Sequence, residues 1–142
     1  MLFLYSLTQP VKAETDITAE LRWQVVNDTV MGGRSTAQIN TSKNGLQFSG
    51  NVSLENNGGF ASIRSQNALP DLSEFNGVTL HAASKKSQSY KLVFWINRMG
   101  PQLYYSLPFL PTDEPQTFSM YDFQAVSYGR PVSAPPLPQQ LN

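Results

Sequence analysis

The 142-residue chain has no cysteine and a single histidine, His81. No disulfide and no thiolate metal site can form, and a chain without disulfides is at home in any compartment. Charge is scarce as well. Only 14% of residues are charged, and ten basic residues balance ten acidic ones, whereas roughly a quarter of an average soluble domain is charged. Without a basic run there is no electrostatic footprint for nucleic acid or anionic lipid. Long apolar runs are missing too: none approaches the roughly 20 residues that cross a bilayer. Neither a nucleic-acid partner nor a membrane span is expected. Uncharged polarity takes the place of charge, with ten Asn, eleven Gln and fifteen Ser. At 40% hydrophobic and 11% aromatic, the chain is not disordered, and its length suits one core.

The first residues, Met-Leu-Phe-Leu-Tyr-Ser-Leu, form a short apolar run, and Val11 and Ala13 stand where a signal peptidase takes small residues. There is no positive n-region, so residues 1–21 read either as a shortened signal peptide or as a tail. Asn-x-Ser/Thr triplets begin at Asn27, Asn40 and Asn51; such triplets arise by chance in Asn- and Ser-rich sequence.

Between Gly, Pro, Asn and Ser punctuation the segments are short and alternating. Leu46, Phe48, Val52 and Leu54 share one parity, which predicts a half-buried strand. Asn44-Gly45 before it is a hairpin signal, with a preceding strand at 35–41. Further strands are predicted at 60–66, 78–82, 90–96, 103–109 and 116–121. The strand at 90–96 reads as central, because Val93 and Trp95 make its second face apolar. No window shows a 3.6-residue apolar period. Seven or eight short strands at this spacing predict an all-β antiparallel sandwich or jelly roll. The domain is expected over 22–130, followed by a proline-rich end at 131–142 with no strand, read as a flexible tail or as a chain that stops before its fold does.

Two segments carry most of the information. The first contains Asn27, Asp28, Met31, Gly32, Gly33, Arg34 and Ser35; the second contains Asn57, Gly58, Gly59, Phe60 and Arg64. Adjacent glycines allow positive φ and close backbone approach, and Asp28 can fold back on its own loop as an Asx-turn. Phe60 reads as an anchor beneath the second loop. Two arrangements are open: Asp28, Arg34 and Arg64 gathered as a functional cluster at one end, or both arginines paired with Asp28 and Glu55 as a structural network, which is favoured. Phosphate-loop and dinucleotide patterns are absent. So are the GxSxG and HExxH patterns and any His/carboxylate spacing suited to a metal. The parity of His81 puts it on a wet face. No catalytic residue, metal ligand or cofactor is expected.

Read together, Trp23-x3-Asn27-Asp28-x2-Met31-Gly32-Gly33-x-Ser35 and Phe48-Ser49-Gly50-x2-Ser53-x4-Gly58-Gly59-Phe60-x-Ser62-x-Arg64 resemble the complex I intermediate-associated protein 30 family. Asp71-Leu72-Ser73-x-Phe75-x-Gly77 and Tyr128-Gly129-Arg130 fit in order, so the resemblance runs from Trp23 to about Leu137. It implies a galactose-binding-like jelly roll and a non-enzymatic assembly factor that holds a protein partner in building respiratory complex I. It also implies a small bacterial-type member, cytoplasmic, or periplasmic if the N-terminus is a signal peptide. The family continues into further strands, which implies that C-terminal strands are missing here. The expected partner surface is the two glycine-bearing loops with Arg130, Met31 supplying an adaptable apolar contact. A carbohydrate-binding module, with aromatics such as Trp95, Tyr104 and Tyr105 stacking on sugars, is the alternative.

Overall fold

The computed structural model describes residues 16–43, 45–96 and 102–140; the expectations for the N-terminal apolar run and for Asn44 fall outside them. Ten strands and a set of single 3-10 turns make up the described chain: β1 (Trp23–Asn27), β2 (Thr36–Ser42), β3 (Gly45–Asn51), β4 (Ala61–Ser65), β5 (Gly77–Leu80), β6 (Tyr90–Trp95), β7 (Leu103–Phe109), β8 (Gln116–Ser119), β9 (Gln124–Ser127) and β10 (Arg130–Pro131). All pairings are antiparallel. The all-β expectation holds. Contacts divide the chain into two compact units, Met1–Leu69 and Pro70–Asn142.

In the first unit β1 pairs with β4, from Trp23 opposite Ser65 to Asn27 opposite Ala61. β2 and β3 form a hairpin in which Ser42 faces Gly45. Gly50 lets this hairpin close, since a Cβ there would overlap the Thr36 carbonyl oxygen. The alternation that predicted one long strand to Leu54 fails at its end. β3 stops at Asn51, and Val52 and Leu54 are exposed rather than in the core. The reason is a competing set of hydrogen bonds: the Ser53 amide donates to the Ser35 hydroxyl, and a 3-10 turn begins at Glu55.

The second unit is built on a four-stranded sheet in the order β10-β9-β7-β6, with β5 and β8 as a separate pair. Alternation sets its faces. Phe94, Tyr105 and Ala125 lie side by side across β6, β7 and β9 and are all buried. Phe123 meets Phe94 edge-on, ring centroids 5.2 Å apart. Trp95 and Tyr104 stand on the opposite face with ring centroids 4.7 Å apart. Here β6 is an edge strand among the described residues, not the central strand its two apolar faces predicted. Stacking on Tyr104 covers part of Trp95 instead of a neighbouring strand.

The proline-rich end is not a loose tail. Pro131 of β10 pairs with Val126 of β9, the Val132 amide donates to the Ala125 carbonyl, and the Tyr105 hydroxyl donates to the Pro135 carbonyl. Leu137 begins a 3-10 turn (Leu137–Gln140) and is wholly buried. Prolines make this segment an unlikely strand by pattern, but they leave one leucine free to fill the core.

Candidate functional site

The site begins where β1 ends. Asn27 is the last strand residue, and the chain turns into a 3-10 turn (Asp28–Met31) closed by Gly32 at φ +86°. That left-handed conformation is cheap only for glycine. The Gly32 and Gly33 amides donate to the Thr29 and Asp28 carbonyls at 3.1 and 3.0 Å. The turn therefore aims the Asp28 side chain inward, where it is completely buried beside an equally buried Ser35.

Four donors converge on the Asp28 carboxylate. The Ser35 amide reaches Oδ1 at 2.9 Å. The Ser35 hydroxyl and the Gly59 amide each reach Oδ2 at 2.6 Å, and the Phe60 amide reaches it at 3.3 Å. The Asp28 amide donates in return to the Phe60 carbonyl at 3.3 Å. Ser35 extends the arrangement, because its hydroxyl oxygen accepts from the Ser53 amide at 3.0 Å. A buried carboxylate is costly unless its lone pairs are filled; here three backbone amides and a hydroxyl fill them. The Ser35 hydroxyl bond, together with the Gly59, Ser35 and Phe60 amides, outweighs burial and lowers the Asp28 pKa from 3.8 to about 2.

The glycines are explained by the same carboxylate. A Cβ on Gly33 would fall on the Asp28 carboxyl carbon, and one on Gly58 would fall on Oδ2. Gly59 sits at φ +131° to present its amide. Asn56 and Asn57, both left-handed at φ 56° and 59°, complete the second turn. Asn56 ties it to the first turn by donating to the Gly32 carbonyl at 3.2 Å. Residues 28–35 and 53–60 are thus one knot tied around Asp28.

The favoured structural network is met at its Arg34–Glu55 pair but not at Asp28, and the functional cluster around Asp28 does not form. Asp28 is satisfied by neutral donors, so no guanidinium is needed beside it. Arg34 pairs instead with Glu55 at 3.0 Å, both side chains largely exposed. Arg64 stands exposed on β4 opposite Gln24, on the order of 10 Å along the strand from Ala61. Arg130 belongs to the second unit, just after the two-residue turn Tyr128-Gly129 that joins β9 to β10; both turn residues have positive φ, 47° and 74°, the geometry favoured in tight hairpins. Phe60 is not a buried anchor; it is 38% exposed and contributes its backbone.

Several of the outward side chains around the knot are apolar, among polar ones such as Arg34, Glu55, Asn56 and Asn57. Met31 is 74% exposed and Leu54 81%. Val52, two residues before Leu54, and Phe60, next to Gly59, are exposed too, and a Cβ on Gly59 would lie 3.0 Å from a Leu54 methyl. Parity carried past Asn51 places Leu54 and Val52 in the core, but β3 has ended there. The polar run Glu55-Asn56-Asn57-Gly58-Gly59 that follows was the signal that the strand had already ended. Asn27 leaves its carboxamide oxygen buried and without a hydrogen-bond partner.

Among the described residues no group of three His, Asp or Glu side chains is placed to hold a metal ion. No helix there is long and apolar enough to cross a membrane. His81 follows β5 and is exposed. No curated protein and no solved structure matches the chain. The model of the family Complex I intermediate-associated protein 30 (CIA30) matches residues 11–141, a span that includes both halves of the Asp28 knot and the β9–β10 turn. The chain belongs to the complex I intermediate-associated protein 30 family, whose galactose-binding-like fold agrees with its antiparallel strands.

Proposed function

We propose that the chain is a non-enzymatic binding domain that holds a protein partner during assembly of respiratory complex I, and that the surface around the Asp28 knot makes the contact. The observation that carries this reading is the pairing of a rigid, fully hydrogen-bonded loop base with exposed Met31, Val52, Leu54 and Phe60 above it. Large apolar side chains in water cost free energy unless something covers them. A base held by buried charge-assisted bonds keeps them in place, so little ordering entropy is lost on binding. Methionine adapts to an irregular partner surface, and the Arg34–Glu55 pair supplies a polar rim. Family membership supports the assembly context.

The test is co-migration of the tagged chain with complex I assembly intermediates on native gels. Met31→Asp and Leu54→Asp should fold as the wild type does, because both side chains are largely exposed, and should lose the co-migration. Undiminished co-migration of the folded variants would overturn the assignment of this surface. Absence of the wild-type chain from every such intermediate would overturn the assembly role.

A further inference from the structure

One end of the second unit carries two charged loops of opposite sign. The first, residues 81–89, joins β5 to β6 and bears Lys85 and Lys86; the second, residues 110–115, joins β7 to β8 and bears Asp113 and Glu114. The strand registers bring the loops to the same end: Tyr90, which follows the first, faces Phe109, which precedes the second, and Leu80 faces Gln116. All four charged side chains are exposed. Among the described residues no ion pair joins one loop to the other.

Neither loop depends on these charges for its shape. The Tyr90 hydroxyl accepts from the Gln88 carboxamide at 2.7 Å and lies 3.4 Å from the Ser84 hydroxyl. The Lys86 amide donates to Ser84 Oγ at 3.2 Å, and the Gln88 amide to the Lys86 carbonyl at 3.1 Å. In the second loop the Gln116 carboxamide spans the turn, donating to the Leu110 carbonyl at 2.7 Å and to Thr112 Oγ1 at 3.1 Å, while Thr112 donates to the Glu114 carbonyl. Pro111 and Pro115 stiffen it further. The Tyr90 and Phe109 rings, 6.1 Å apart, connect the bases of the two loops. Leu110 is 56% exposed at the same end.

We propose that this end is a self-complementary surface through which two copies of the chain associate about a two-fold axis, Lys85 and Lys86 of each copy facing Asp113 and Glu114 of the other. Charge selects this partner. A uniformly acidic or basic partner gains at one loop what it loses at the other. A partner gains at both loops only if it presents the same two signs in reversed order, and a second copy turned by half a revolution does so, as an isologous contact requires. Leu110 from each copy is then covered at the contact.

The experiment is sedimentation velocity on the full chain with charge-reversed variants. K85E/K86E makes the end wholly acidic, and D113K/E114K makes it wholly basic. Each alone should associate at least about tenfold more weakly than the wild type, since like charges then face each other, and an equal mixture of the two should recover association as a heterodimer. Wild-type association should weaken between about 0.05 and about 0.5 M salt, where the Debye length shortens severalfold. Both variants alter exposed residues only, and circular dichroism checks that they fold. Three outcomes overturn the proposal: a monomeric wild type at low salt, folded variants that self-associate like the wild type, or a mixture that stays monomeric.

Discussion

The two units solve the problem of a small interior in opposite ways. In the second, the most buried side chains are apolar: Tyr105, Met120 and Leu137, with Phe94, Ile96, Phe123 and Ala125 around them. In the first, among the described residues, the most buried are a carboxylate and a hydroxyl, Asp28 and Ser35, and Leu21 is the one buried large apolar side chain. An apolar core is held by area and shape and accepts substitutions that conserve volume. A buried carboxylate is held by directed bonds, and each donor must keep its position and each neighbour its size. The first arrangement leaves a pattern in the sequence. The second leaves fixed letters.

The largest effect should follow from Asp28. Asp28→Ala strands the Ser35, Gly59 and Phe60 amides without an acceptor, and Asp28→Asn turns an amide N–H toward them. Both should unfold the first unit at room temperature. Trp23 fluorescence in a Trp95→Phe background reports this, because Trp23 lies in β1; native emission from either variant would show that the knot is dispensable.

Leu137→Ala is the matching lesion in the apolar unit and should cost about 2–5 kcal/mol, the range for a buried leucine. Urea unfolding followed through Trp95 measures it, and an unshifted midpoint would return residues 131–142 to the status of a tail. Gly33→Ala should cost about 1–3 kcal/mol in the first unit, as overpacking does, although it adds a single methyl; a neutral result would mean that Asp28 can yield.

Acid distinguishes the units by mechanism. The Asp28 pKa is lower in the folded state, so its contribution is complete above pH 3.8 and is lost as the pH falls toward about 2. Trp23 emission should change over that interval before Trp95 emission does, and simultaneous changes would erase the distinction. The smallest effect is expected from Arg34→Ala. An exposed ion pair is worth about 0–1 kcal/mol, and a larger loss in thermal unfolding would place the Arg34–Glu55 pair inside the knot's energetics.

How much could be read in advance follows from the same contrast. The strands at 103–109 and 90–95 were legible because alternation is a local consequence of the pleat. The importance of Asp28, Gly33, Ser35, Gly58 and Gly59 was legible as a resemblance, and the loop chemistry suggested a turn. Their partners were not. Nothing local says that Gly33 and Gly58 are glycines because one carboxylate touches both, or that Asp28 prefers amides some 30 residues away to the arginines nearby. Leu54 and Leu137 went wrong in opposite directions: alternation buried the first, and proline content exposed the second.

Scarce charge and absent cysteine therefore determined a good deal by themselves. They excluded thiolate metal sites and disulfides, and the alternation determined an all-β chain, because composition and side-chain periodicity are properties of the sequence alone. Only the tertiary structure decided what the few charges do: Asp28 is buried and tied to amides, while Arg34 and Glu55 stay at the rim. Desolvation and hydrogen-bond direction depend on which backbone segments meet, and the pairing of β1 with β4 brings those segments together.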